Sequence, residues 1–303
     1  YYRFNFTKDD NPSSHWSYLY SIIQNCNLIL MNIDKLVIDE DDKAYRDDLK
    51  GEALAIRGLA LFDLTRIFGY PYLKDNGASL GVPIIEGLST IDSKPTRNTV
   101  AQCYTKIIDD LTQSLSLLGE KFNKGKINKW GAMVLLSRVY LYKGENANAL
   151  KMASDAIIGA EKNKYALWTN EDYPTAWGED ASASKPGEVL FEIVNLTTDS
   201  PGKESMGYLN SYDGYDDMCI TCSFYQFLKE DPKDIRLKLL SFDKKYYAYV
   251  NKYQPQREEN IEDANIPLIR LSEAYLNAAE AAVKENDNDA AVKYLDPIVK
   301  RAN

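Results

Sequence analysis

From Trp16 to about Lys35 the apolar residues Leu19, Ile22, Ile23, Cys26, Leu30 and Ile33 recur at intervals of three and four, with no Pro or Gly between them. That spacing predicts one amphipathic helix. A second pattern begins near Asp41 and runs through Leu49, Ala53, Ile56, Ala60, Leu64 and Ile67 to Gly69-Tyr70-Pro71. Gly supplies a C-cap there and Pro forbids continuation, so the two helices form an antiparallel hairpin. The stretch 70–97 carries Pro71, Gly77, Gly81, Pro83, Gly87 and Pro95 and reads as a loop excursion. Helical spacing resumes near Thr99 with Val100, Tyr104, Ile107, Ile108, Leu111, Leu115 and Leu118, and again from Asn128 to Lys143, where Gly144 ends it.

A row of helical hairpins is the sequence sign of a solenoid. Leu136, Tyr140, Ala149 and Ala156 fall at the spacings of the tetratricopeptide pattern, with Gly144 at the turn. Small Ala at the crossing lets the helices approach while Tyr and Leu fill the space between them. A weaker second unit takes Ala291 as the crossing alanine and sets Tyr275, Ala278, Ala279 and Leu295 at apolar positions, but Ile298 replaces the later Ala. Between the two lies a stretch of another character. From 161 to 265, Gly and Pro punctuate short apolar pieces, of which Val189–Val194 is the best strand candidate and Cys222–Lys229 a short helix. Its aromatic load argues for an ordered segment. The expected organisation is a mostly α scaffold over 1–160 with its excursion at 70–97, an irregular aromatic-rich insertion over 161–265, and a returning helical pair over 266–303.

Composition narrows the chemistry. Basic residues number 36 against 45 acidic, a net charge of −9, and no Lys/Arg-dense stretch supplies the footprint that nucleic acid requires. No run approaches the roughly 18 to 20 apolar residues that span a bilayer. The chain opens at Tyr1 and closes at Asn303, and both ends read as cuts. A triad, an HExxH zinc site or a multi-His cluster would have to be built around the single His15, which lies beside Ser13 and Ser14 at the start of a helix. Cys219 and Cys222 form the one CxxC, too little for a four-thiolate site, and read as a local disulfide or two plain thiols. GxSxG and GxxxxGK[ST] are absent, and clustered carboxylates such as Asp213, Asp216 and Asp217, or Asp287 and Asp289, lack calcium-loop spacing. No catalytic residue, cofactor or metal is expected.

Several stretches resemble the SusD/RagB family in the family's order. Trp16-Ser17-Tyr18-Leu19-Tyr20 with Ile23, Asn25 and Asn27 is similar to its opening helix. Glu52-Ala53-Leu54-Ala55-Ile56-Arg57-Gly58, followed by Phe62, Leu64, Arg66-Ile67-Phe68-Gly69 and Pro71, resembles its most recognisable helix and exit turn. Arg97, Thr99, Tyr104, Ile107, Asp110 and Leu111 come next, then Asn128-Lys129-Trp130, Ala132 and Leu136–Tyr142. Arg270–Ala281 and Lys300-Arg301-Ala302 complete the match. The resemblance implies a SusD-like α-α superhelix and a non-catalytic lipoprotein on the outer-membrane surface. Such a protein captures an oligosaccharide, or a peptide in the RagB branch, and passes it to a SusC-like TonB-dependent transporter. Membrane attachment would come only through a lipid anchor that this chain does not contain. A tetratricopeptide-type adaptor is the alternative from another class.

Candidate ligand residues follow from chemistry. Arg57, Arg66, Arg138 and Arg270, with Glu52, Glu273 and Glu280, lie between helical apolar stripes and read as structural ion pairs. Tyr18, Trp130, Tyr140 and Tyr275 lie in periodic helices and read as core. Trp168, Tyr173, Trp177, Tyr208, Tyr212 and Tyr215 instead lie on the predicted insertion, where a flat ring can stack on a sugar face and nearby polar groups can bond hydroxyls. Tyr1, Tyr2, Phe4 and Phe6 add a second aromatic edge.

Overall fold

The computed structural model describes residues 13–90, 92–178, 187–196, 198–215, 218–242, 247–255 and 260–303. Nine α-helices and four short strands lie among these residues, so the fold is mostly α: helical hairpins with a long irregular insertion. No helix among the described residues is long and apolar enough to cross a membrane. Tyr1, Tyr2, Phe4 and Phe6 lie outside the described residues, as do Asp216 and Asp217. The chain groups into two compact units.

The first unit runs to Gly119 and includes Arg138–Glu145. Helices α1 (Ser13–Asn32) and α2 (Lys43–Phe68) form the expected hairpin, and α3 (Val100–Leu115) also packs on α2. Helix α2 buries Ala53, Leu54, Ala55, Leu61, Phe62 and Leu64, its apolar stripe. A capping box opens α3: the Thr99 hydroxyl accepts from the Gln102 N–H at 3.2 Å, and the Gln102 side chain accepts from the Thr99 N–H at 2.9 Å. Helix α3 stops at Leu115, short of Leu118, although Leu118 is still buried.

A buried polar cluster fixes the loop excursion to these helices. The Arg57 guanidinium donates to both Asp110 oxygens, at 2.8 and 2.6 Å, and to Asn27 Oδ1 at 2.8 Å. Asn27 in turn donates to the carbonyls of Ile85 and Gly87, at 2.8 and 3.0 Å. Removing one partner of such a pair strands a charge in the core, at a cost of about 3–5 kcal/mol. The Tyr20 hydroxyl donates to the Pro83 carbonyl at 2.7 Å, and Arg97 donates to the carbonyls of Gly81 and Phe68. Long-range side-chain bonds therefore order a loop that has little secondary structure of its own.

The second unit holds Glu120–Ser137 and Asn146–Asn303. Its first part combines the start of α4 (Lys129–Lys143) with α5 (Asn146–Lys162). Leu136, Ala149 and Ala156 are buried, as the repeat spacing predicts. Gly159 lies directly against the Trp130 indole, where a Cβ would overlap the ring. The chain then enters the irregular stretch through β1 (Val189–Ile193), α6 (Met206–Asn210), α7 (Cys222–Lys229), β2 (Leu240–Phe242) and β3 (Ala248–Val250).

It returns through β4 (Ile266–Arg270), which pairs antiparallel with β1 from Val189↔Arg270 to Ile193↔Ile266. Helices α8 (Leu271–Lys284) and α9 (Asn288–Ala302) follow, with Asp287 capping α9 through the Ala290 N–H. Helix α8 packs on α5, Asn277 donates to the Ser137 hydroxyl at 2.9 Å, and the Tyr275 hydroxyl bonds Glu161. The β1–β4 pair and the α5–α8 contact thus join segments far apart in sequence.

Candidate functional site

The six aromatic residues singled out on the insertion fall into two groups. Trp168, Tyr173 and Trp177 are buried, 5%, 7% and 7% exposed, in a cluster with Val189, Ile235 and Leu239. Their rings meet edge to face, with centroids 5.1 Å apart for Trp168–Trp177 and 5.6 Å apart for Tyr173–Trp177. Fully buried Glu188, next to β1, accepts from the Trp168 N–H at 3.0 Å and from Arg270 at 2.8 Å, and also bonds Arg301. Cations cover the rings: Arg270 lies 4.7 Å from the Trp177 centroid, Lys252 4.9 Å from the same ring, and Arg301 4.8 Å from Tyr173. The expected open platform is here an aromatic core, because β4 and α9 deliver arginines onto the ring faces. Arg270 itself is the structural ion-pair residue that the sequence suggested.

The electrostatics of this cluster are uneven. Arg236 donates to both Asp234 oxygens and holds that carboxyl below its usual range. Lys252 is pushed below the ordinary lysine value, first by burial and then by Arg270 and Arg236. The indole N–H groups of Trp168 and Trp177 find no acceptor among the described residues.

Tyr208, Tyr212 and Tyr215 are placed differently. Ser205 caps α6 by accepting from the Tyr208 N–H at 3.1 Å, and the chain turns back so that the Tyr215 N–H reaches the Tyr208 carbonyl at 3.3 Å. Gly214 permits that turn, since a Cβ there would overlap the Tyr208 carbonyl. Tyr212 and Tyr215 are 42% and 43% exposed. Each is backed by another ring, Tyr215 by Tyr208 at 5.1 Å and Tyr212 by buried Tyr249 at 6.0 Å. Glu204 bonds the Tyr215 hydroxyl at 3.4 Å, and Lys203 lies 5.9 Å from the Tyr208 ring. A half-open ring held from behind, with charged groups at its edge, has the features needed to stack on a sugar and bond its hydroxyls.

The first unit adds a groove of about 540 Å³ between α1 and the loop excursion, lined by Trp16, Tyr20, Gln24, Asn25, Ser89 and Thr90 among others. Gln24 and Ser89 bond each other across it, at 2.9 and 3.2 Å. In the sequence Trp16 and Tyr20 read as part of the opening helix. The available signal was the polar set Ser17, Ser21, Gln24 and Asn25 on an otherwise apolar helix, facing a Ser/Thr-bearing loop. Among the described residues no group of three or more His, Cys, Asp or Glu side chains is placed to hold a metal.

Comparison with known proteins places this architecture. Residues 2–141 match a SusD-like family model described as starch-binding associating with outer membrane, and residues 232–303 match the SusD family model. A solved structure from Bacteroides vulgatus ATCC 8482, named for a suspected sugar-binding role, is 81% identical over 100% of this chain with a TM-score of 0.95. The chain belongs to the SusD/RagB family.

A SusD superfamily protein from the same organism is 38% identical over 96% of this chain, with a TM-score of 0.87. A SusD-like protein of Bacteroides ovatus is 27% identical over 135 residues, covering 44% of this chain. The chain spans 68% and 66% of those two solved structures, and the matched stretch is 23% of the Bacteroides ovatus protein. The SusD-family stretches read from sequence lie mainly on α1, α2, α3, α4 and α8. Arg57 and Asp110, both within them, form the buried pair between α2 and α3.

Proposed function

We propose that this chain is the ligand-capturing part of a non-catalytic surface protein that binds an oligosaccharide and hands it to a SusC-like TonB-dependent transporter at the outer membrane. The observation that supports this reading best is the pair Tyr212 and Tyr215, which project from the insertion with 42% and 43% of their surface open and with other tyrosines behind them. Binding rests on ring stacking and hydroxyl hydrogen bonds, with Tyr208 as support and the irregular stretch 161–265 as the ligand face. The sugar-binding description of the 81% identical relative agrees with this. The groove beside Trp16 is a second candidate contact in the first unit.

Titration with pooled oligosaccharides, and separately with a mixed peptide digest, followed by calorimetry, tests the proposal. Saturable saccharide binding with the glycan recovered intact is the expected result. Binding of peptides alone would replace it with peptide capture of the RagB kind, and new reducing ends in the recovered glycan would make the protein an enzyme.

A further inference from the structure

The groove between α1 and the loop excursion lies wholly within the first unit, and its walls are already fixed. The Tyr20 hydroxyl donates to the Pro83 carbonyl at 2.7 Å, and Asn27 donates to those of Ile85 and Gly87. Gln24 bonds Ser89 through both its amide nitrogen and its oxygen. A ligand entering here has no loop to order, which removes one of the usual costs of binding. The volume of about 540 Å³ falls within the common range of small-molecule sites, about 300–1,000 Å³. Along α1, Ser17 to Asn25 covers about 12 Å of helix rise, the length of a short oligosaccharide.

The lining decides the class of ligand. Among the described residues twelve line the groove, and none carries a charge. Five are Ser or Thr and two are Gln24 and Asn25, with Pro83, Ile85 and Pro95 as apolar surface between them. Hydroxyls and carboxamides both donate and accept, as every sugar hydroxyl does. Asn25 is exposed and has no side-chain hydrogen bond among the described residues, nor has the Trp16 N–H. Ser17 and Ser21 donate to the carbonyls of Ser13 and Ser17, which leaves their oxygens as acceptors. A carboxylate or sulfate would lose water here and meet no cation, and the net charge of −9 adds to that cost at longer range.

We propose that this groove is a second saccharide site, selective for uncharged oligosaccharides and working without Tyr212 and Tyr215. The proposal rests on the capture reading and narrows it. The groove is the weaker of the two sites. Its hydroxyl bonds replace equally good bonds to water, and the Trp16 ring already packs on Tyr20 and Phe68, with centroids 4.9 Å away in both cases.

The test is a titration of the whole chain read at the indole N–H signals by NMR, beside calorimetry. Of the four tryptophans Trp130, Trp168 and Trp177 are buried, so the Trp16 signal, assigned with Trp16→Phe, reports on the groove. The probes are a pool of neutral glucan, xylan and mannan tetrasaccharides, tetragalacturonate, and an uncharged Gly/Ser/Pro peptide. Expected is a saturable shift of the Trp16 signal with the neutral pool alone, equal in wild type and in the Tyr212→Ala, Tyr215→Ala double variant. In Asn25→Ala, which loses an exposed side chain, the groove should bind about fivefold more weakly. Calorimetric binding of the neutral pool that leaves the Trp16 signal unmoved, or a shift abolished in the folded double variant, overturns the groove site and leaves capture by the insertion standing. So does full groove affinity in Asn25→Ala. A shift as strong with tetragalacturonate overturns the selectivity, and a shift with the peptide alone makes the groove a peptide site. Neither heat nor shift with any saccharide overturns both the groove site and the capture reading.

Discussion

Trp168, Tyr173 and Trp177 come from the same irregular stretch as Tyr208, Tyr212 and Tyr215, with similar local composition, yet the first three are at most 7% exposed while Tyr212 and Tyr215 are 42% and 43% exposed. The difference lies in what arrives from elsewhere in the chain. The first trio is met by Arg270 at the end of β4 and Arg301 near the end of α9, both anchored on buried Glu188. The second is held by a short turn and backed by Tyr208 and Tyr249, so its outer faces stay in solvent. Aromatic residues on an insertion thus divide into those that bind the insertion to its scaffold and those the scaffold presents.

Substitutions can break or sharpen that contrast. The largest effect is expected for Trp168→Ala, which removes a buried indole and should cost about 4 kcal/mol in urea denaturation. A loss below about 1 kcal/mol together with weaker glycan binding would return Trp168 to the ligand surface. Glu188→Gln comes next. It leaves Arg270 and Arg301 without their shared buried carboxylate and should destabilise by about 3 kcal/mol, read from the same denaturation curves. Gly214→Ala should cost about 1–2 kcal/mol, since its Cβ must displace the Tyr208 carbonyl, and it should weaken glycan binding by moving the exposed rings. Wild-type affinity in that variant would show that the turn does not set the platform.

Much of the scaffold was legible because its information is local. Periodicity located α1, α2 and α4 to within a few residues, the Gly and Pro positions marked the loop excursion, and Val189–Ile193 and Cys222–Lys229 formed where composition indicated a strand and a short helix. The tetratricopeptide spacing named alanines of α5 that are fully buried. The division of the aromatic residues was not legible. It depends on pairings such as Glu188 with Arg301, which no local pattern encodes. Nor did spacing reveal that Asn27, Arg57 and Asp110 would form one cluster, or that polar residues of α1 would face the loop as a groove.

The smallest effect on stability and the most specific effect on function are expected from one protein, the Tyr212→Ala, Tyr215→Ala double variant. Because both rings are half-open and each gives up one aromatic contact, the variant should lose only about 1 kcal/mol in urea denaturation and stay folded. Calorimetric titration of this variant beside the wild type, with an oligosaccharide the wild type binds, tests the central claim directly. A fall in affinity of about tenfold or more, corresponding to about 1.4 kcal/mol, is the expected result. Unchanged affinity in a folded double variant would contradict the claim that these tyrosines carry the ligand.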